Sequence, residues 1–180
     1  SFLANLYGLE LFDVKEQKTH GGSMRYYIGH RGHVEVTTTL KRLLEKEKRI
    51  GVNGAKAFEN FGTAIDVIKE DLINLLKKLK KEGSRVVAYG ATSKSTTVTN
   101  YFKINPDLIE AIYDTTPIKH NTLSPGVLIP VLPYELFRSS DPDYVLLFAW
   151  NHADEIMEKE RDFMSNGRRW IVYVPEVSVL

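Results

Sequence analysis

The stretch Arg85-Val86-Val87-Ala88-Tyr89-Gly90-Ala91-Thr92-Ser93-Lys94-Ser95-Thr96-Thr97 decides how this chain is read. Val86, Val87 and Ala88 form the short apolar run of a buried strand, and Gly90 stands where such a strand must turn. A helix is predicted to start just beyond. Ser93, Ser95, Thr96 and Thr97 can supply hydroxyls around that start, where backbone N–H groups lack intrahelical partners, and Lys94 adds a full positive charge. Such a corner suits an anion, most often a phosphate, although an ordinary strand-to-helix turn with a Ser/Thr cap has the same composition. It is not a P-loop, because the first Gly is missing and Ser93 replaces the second. Of the dinucleotide fingerprint G-x-G-x-x-G only Gly90 is present.

Composition narrows the classes around this corner. A chain of 180 residues makes one domain, or one with an appendage, and buries roughly 70% of its unfolded surface. Cysteine is absent, which excludes disulfides, thiolate metal sites and a Cys nucleophile and points to a reducing compartment, with the cytoplasm as the expected location. Lys+Arg 24 against Asp+Glu 23 leaves a net charge of +1. Neither nucleic acid nor a membrane surface is therefore an expected partner, and any basic site must be local. No apolar run approaches membrane-spanning length. The opening Ser1-Phe2-Leu3 falls in mid-pattern and suggests a piece of something longer.

Along the chain, Ser1 to Tyr7 reads as a short helix stopped by Gly8. Leu9, Leu11 and Val14 then alternate with polar neighbours, as does Met24 to Ile28, so two strands should flank Thr19-His20-Gly21-Gly22-Ser23. The two glycines fit turn chemistry; alternatively His20, Ser23 and Arg25 cluster there to meet an anion or hydroxyl. His30, Arg31 and His33 read as a solvated loop. A helix from Val36, capped by one of Thr37 to Thr39, should end at Gly51. A second helix carries Phe58, Phe61, Ile65, Ile68, Leu72, Leu75 and Leu79 on one apolar stripe and ends in lysines before Gly83. That stripe needs a cover, and a homodimer is one way to supply it; Gly62 within it hints at close backbone packing.

Beyond Gly83 strand and helix alternate. Strands are predicted at Val86–Tyr89, Leu108–Tyr113, Val127–Val131, Tyr144–Ala149 and Trp170–Val174, with helices at Ser95–Phe102, Tyr134–Phe137 and Ala153–Met164. Repeated β-α-β units imply an α/β fold: a Rossmann-like, doubly wound, mainly parallel sheet, with an N-terminal β-hairpin segment and a long amphipathic helix. The division expected is 1–52 for a helix/hairpin/helix segment and 53–180 for the α/β domain. In such sheets ligands bind beyond the carboxyl ends of the strands. This gathers Gly90, Thr92, Ser93 and Lys94 with Asp114, Lys119, Trp150, Asn151 and His152. Asp114 is placed either to accept from ribose hydroxyls or to cap the turn Asp-Thr-Thr-Pro. His152, Asp154 and Glu155 sit within one helical turn, without the further ligands a metal needs.

Six motifs occur in order: Thr19-His20-Gly21-Gly22-Ser23-x-Arg25, Tyr89-Gly90-Ala91-x-x-Lys94, Thr97-x-x-Asn100-Tyr101, Asp114-x-x-Pro117-x-Lys119, Ser124-Pro125-Gly126-x-x-Ile129-Pro130 and Trp150-Asn151-x-x-Asp154-Glu155-Ile156. Together they resemble the C-terminal domain of the sugar C-methyltransferase family, whose best-known members methylate nucleotide-linked deoxysugars. The resemblance implies an enzyme of three parts: a cysteine-rich zinc-binding domain, a central S-adenosylmethionine domain, and a Rossmann-like C-terminal domain that helps to hold the nucleotide-sugar. This sequence looks like the third part alone. S-adenosylmethionine is then expected in the upstream domain and not on this chain, and no residue here is expected to be catalytic or to bind a metal, since the family's catalytic His would precede Ser1. By position, the resemblance implies that Gly90, Ala91 and Lys94 face the pyrophosphate. Ser93, Asn100, Lys119, Trp150 and Asn151 become further substrate contacts, and His20, Ser23 and Arg25 lie near the methyl-transfer domain. Ser95 and His120 replace the family's usual Gly and Gln. Two other readings compete with the acceptor-binding one: an independent dinucleotide-binding domain using Gly90 and Asp114, and an oligomerisation module built on the long helix.

Overall fold

A computed structural model describes residues 1–180 as two compact units, Ser1–Thr63 and Ala64–Leu180. In the first, helix α1 (Phe2–Leu6) precedes an antiparallel hairpin of β1 (Leu9–Gln17) and β2 (Ser23–His30). The ladder shifts register between Leu11 and Asp13, a bulge that lets Val14 face inward, where it is buried. Helix α2 (Thr38–Ile50) follows. Thr37 caps it by accepting from the Leu40 amide, and its hydroxyl donates to Asp13 Oδ1 at 2.6 Å, tying helix to strand. Gly51, in the left-handed region, closes α2.

The 27-residue helix α3 (Ala55–Lys81) carries the unit boundary within it. Its buried residues are Leu72, Leu76 and Leu79. The expected stripe therefore holds at Leu72 and Leu79, whereas Phe58 and Phe61 are exposed. Gly62 has nothing within 4 Å of a Cβ placed there, so the close packing expected at this glycine is absent.

The second unit is mixed α/β around a seven-stranded, mostly parallel sheet. Its strands are β3 (Val86–Tyr89), β4 (Ile112–Asp114), β5 (Thr122–Leu123), β6 (Pro130–Pro133), β7 (Tyr144–Leu147), β8 (Arg169–Val172) and β9 (Ser178–Val179), in the order β5-β6-β4-β3-β7-β8-β9. The two outermost pairings are antiparallel and the four inner ones parallel. Side chains alternate between two cores: Val86, Ala88, Ile112 and Leu146 join Leu72, Leu76 and Leu79, while Val87, Tyr89, Tyr113 and Val145 meet Phe137, Phe163 and Trp170. On the latter side Glu160, fully buried, accepts from the Tyr134 hydroxyl at 2.5 Å and pairs with Arg138.

Several boundaries differ from those expected, each for a local reason. Leu108 and Ile109 are not strand, because both amides turn back to the Asn105 carbonyl. Val127–Ile129 is a closed loop: the Ile129 amide donates to Ser124 Oγ and Leu128 takes φ 60°, which delays the strand to Pro130. Tyr134–Leu136 is a single 3₁₀ turn, and the helix expected over Ala153–Met164 breaks at Glu160 into α5 (Ala153–Lys159) and α6 (Arg161–Met164). The last strand ends at Val172, and the antiparallel edges β5 and β9 carried too few residues to be seen as strands. No helix is long and apolar enough to cross a membrane.

Candidate functional site

By their place in the chain the five parallel strands lie in the order 3-2-1-4-5, so the direction of winding reverses between β3 and β7. Residues that follow these two strands, Lys94 after β3 and Trp150 after β7, line a common cavity, at the place where such sheets bind ligands. Gly90 follows directly on β3. It takes φ 94°, a backbone conformation that glycine tolerates, and a Cβ there would lie 3.1 Å from that of Ala149 at the end of β7.

From Gly90 the chain enters helix α4 (Ser93–Phe102), two residues earlier than expected. Thr92 is the cap, its hydroxyl accepting from the Ser95 amide at 3.1 Å. Most of the hydroxyls counted in the sequence are turned back onto the helix. Ser95 donates to the Thr92 carbonyl, Thr96 to the same atom, and Thr97 to the Ser93 carbonyl. The Ala91 amide is also engaged, donating to Asp114 Oδ2 at 2.7 Å. What stays open is narrower: the Ser93 and Lys94 amides, which have no backbone partner, and the Ser93 hydroxyl.

Lys94 gives this opening its charge. Its Nζ donates to Asn151 Oδ1 at 3.0 Å and lies 5.6 Å from the centre of the Trp150 ring. It has no carboxylate partner. Asn151 and Trp150 belong to the turn after β7, so three residues 57 or fewer positions apart in sequence meet across the reversal of strand order. An amide oxygen and an aromatic face hold the ammonium in place without neutralising it.

Lys119 differs. Its Nζ lies 3.3 Å from Asp114 Oδ2, so its charge is largely balanced. Burial by itself would raise the Asp114 carboxyl, but the Thr116 hydroxyl and amide, the Lys119 charge and the Ala91 amide outweigh it and hold Asp114 below the usual carboxylate range. Of the two roles open to Asp114 in the sequence, turn cap is the one its hydrogen bonds fill: its oxygens receive the Ala91 and Thr116 amides.

Asn100 stands at the far end of α4. Its amide donates to the carbonyls of Thr96 and Pro125 at 2.8 and 2.9 Å, fastening the Ser124–Ile129 loop to the helix. His20, Ser23 and Arg25 belong to the first unit, where they lie exposed at the turn end of the hairpin. His20 takes φ 57° there.

Sequence reasoning missed two features. A cavity of about 390 Å³ lies beside Lys94 and Trp150, walled by Ile65, Ile68, Val98 and Tyr173. On the other side of the α4 N-terminus a cavity of about 320 Å³ is lined by Thr92, Ser95, Thr96, Lys119 and Ser124. Ser93 borders both. Tyr173 had no signal beyond its place in the last apolar run.

A relative, C-methyltransferase NovU of Streptomyces niveus, is 30% identical over 175 residues, an alignment that takes in 97% of this chain and 42% of the relative. The chain thus spans about two fifths of that protein's length. A family profile described as the C-methyltransferase C-terminal domain matches residues 18–175, and it includes every motif singled out above. This chain belongs to the C-methyltransferase C-terminal domain family.

Proposed function

We propose that this chain is the acceptor-binding domain of an S-adenosylmethionine-dependent C-methyltransferase, inactive alone, and that its acceptor is a nucleotide-linked sugar. Methylation of carbon would require a base to take up a proton beside a keto group, and a sulfonium donor would supply the methyl. In this reading both the base and the donor belong outside this chain. Its part is to hold the acceptor in line, so that binding energy remote from the reacting carbon sets the geometry.

The observation that carries the reading is the Lys94 ammonium, fixed 3.0 Å from Asn151 Oδ1, unpaired by any acid and adjoining the free Ser93 and Lys94 amides. A cation beside unpaired helix amides suits a diphosphate. The strand order and the two cores support a doubly wound, Rossmann-like architecture, whose crevice is the usual place for nucleotides. In this reading Gly90 and Ala91 let the diphosphate approach, Asn100 shapes the adjoining loop, and the exposed His20, Ser23 and Arg25 face the methyl-donor part of the polypeptide.

Lys94→Ala should raise the acceptor's Kd or KM by about tenfold or more while leaving S-adenosylmethionine affinity unchanged. Equal loss for both ligands, or for neither, overturns the assignment. A dinucleotide-binding role predicts instead tight binding of NAD(H), against which the occupied Asp114 carboxylate argues.

A further inference from the structure

Strand β1 is paired on one side only. It forms a two-stranded sheet with β2, and an edge strand leaves alternate N–H and C=O groups without a ladder partner. The chain itself lays one rung along this edge: the amide of Thr37, in extended backbone, donates to the Phe12 carbonyl at 2.9 Å before the chain turns into α2. Beyond that rung lies a cavity of about 570 Å³, bordered by Asp13–Glu16 of β1, by Tyr27 opposite Asp13, and by Thr39, Arg42, Leu43 and Lys46 of α2. Successive strand side chains point to opposite faces, so consecutive residues that border one space do so along the strand's edge. The helix residues recur at the spacing of a single face. The cavity is thus a groove between a strand edge and a helix face.

Its dimensions and charge narrow what fits. Asp13–Glu16 span about 13 Å of strand, and Thr39 to Lys46 rise about 10 Å along α2, which leaves room for about four residues of extended chain. Lys15, Arg42 and Lys46 border the groove, and no residue of β1 or α2 enters an ion pair. Of the two acids there, Asp13 already accepts from the Thr37 hydroxyl. Helix α2 as a whole has five basic residues to two acidic ones. Arg42 and Lys46 stand one turn apart, about 6 Å along the helix, close to the roughly 6.6 Å between alternate side chains of a strand.

We propose that this groove takes an extended segment of a partner protein as a third strand beside β1, with acidic side chains at alternate positions directed to Arg42 and Lys46. Main-chain bonds along the edge supply affinity and the two cations supply selectivity. The exposed Gln17 side-chain amide, which donates to the Glu16 carbonyl at 2.9 Å, gives way to an amide of the ligand. The addition makes a three-stranded sheet packed on a helix, where a two-stranded hairpin is marginal by itself. The groove lies wholly within the first unit and does not depend on the acceptor-binding reading.

The test titrates the peptide acetyl-Val-Glu-Val-Glu-Val-amide into this chain and follows amide hydrogen exchange. The peptide should bind with a Kd below about 1 mM and slow exchange within Asp13–Glu16. Arg42→Glu combined with Lys46→Glu, both at exposed positions, should weaken it by about tenfold or more and admit the same peptide with Lys in place of Glu. That exchange of preference shows the variant to be folded. N-methylation of every peptide amide should abolish binding, because it removes the donors of the ladder. Failure to bind, binding that leaves exchange in β1 unchanged, retention of the acidic peptide by the charge-reversed variant, or capture of the N-methylated peptide each overturns the proposal. Slowed exchange at Asp13–Glu16 on raising the protein concentration without peptide also overturns it, since the edge then belongs to a second copy of the chain.

Discussion

At Asp114 two demands compete. The carboxyl is 6% exposed, which opposes ionisation, yet its oxygens collect the amides of Ala91 and Thr116 and the charge of Lys119. The net effect lowers its pKa below the ordinary 3.8. A carboxylate easier to ionise folded than unfolded stabilises the fold at pH values above 3.8, and that stabilisation is lost as pH falls through the lower, folded-state value. Asp114→Asn should therefore reduce stability at neutral pH, and the gap between variant and parent should narrow as acid is added below pH 3.8. Urea midpoints at neutral and acid pH check this. A gap that widens in acid would contradict the sign of the shift. Such a role was half legible: the Asp-Thr-Thr-Pro spacing announced a turn cap, but nothing local revealed that the Ala91 amide, 23 residues away, was its second client. That amide could not then be counted among those free for a ligand.

At the scale of elements, the Ser124–Ile129 loop and α4 are locked by one side chain. Asn100 Nδ2 reaches the Pro125 carbonyl at 2.9 Å, and Gly126, at φ 84°, passes so close that a Cβ would collide with the Asn100 amide. Gly126→Ala should destabilise by about 1–3 kcal/mol through left-handed strain and loss of the Asn100 bond. Asn100→Ala removes the collision partner, so thermal unfolding of the double variant should show the two losses to be less than additive, by about 0.5 kcal/mol or more. The opposite outcome holds for Gly62, which has no neighbour within 4 Å of a Cβ. There Ala should raise stability by about 1 kcal/mol, the gain in helix propensity, seen as a higher midpoint in thermal unfolding. These cases show why elements were more legible than their ends. Apolar runs such as Val86–Tyr89 and Tyr144–Leu147 announce buried strands through their own composition. The late start of the strands that follow Asn105–Ile109 and Ser124–Ile129 depends on specific turn and side chain–backbone bonds that periodicity does not encode.

For the whole molecule, binding and folding are linked, because a ligand that meets residues from separate strand ends recognises only the folded chain. Lys94 follows β3 while Trp150 and Asn151 follow β7, and these side chains meet only once the parallel ladder between the two strands has formed. The alternating β-α-β pattern made this convergence legible in advance, since strand ends on a parallel sheet collect ligand-binding residues by topology alone. What it left open was the division of labour between the two lysines, decided by a carboxylate beside Lys119 and none beside Lys94. A ligand bound only by the folded state stabilises it by about 2.7 kcal/mol at a hundredfold excess over Kd. Thymidine diphosphate should accordingly raise the unfolding midpoint of this chain in proportion to the logarithm of its concentration, and Lys94→Ala should remove most of the rise. S-adenosylmethionine at equal concentration should leave the midpoint where it was if, as proposed, this chain holds the acceptor and not the methyl donor. A rise with S-adenosylmethionine and none with the nucleotide would assign this crevice to the donor instead of the acceptor.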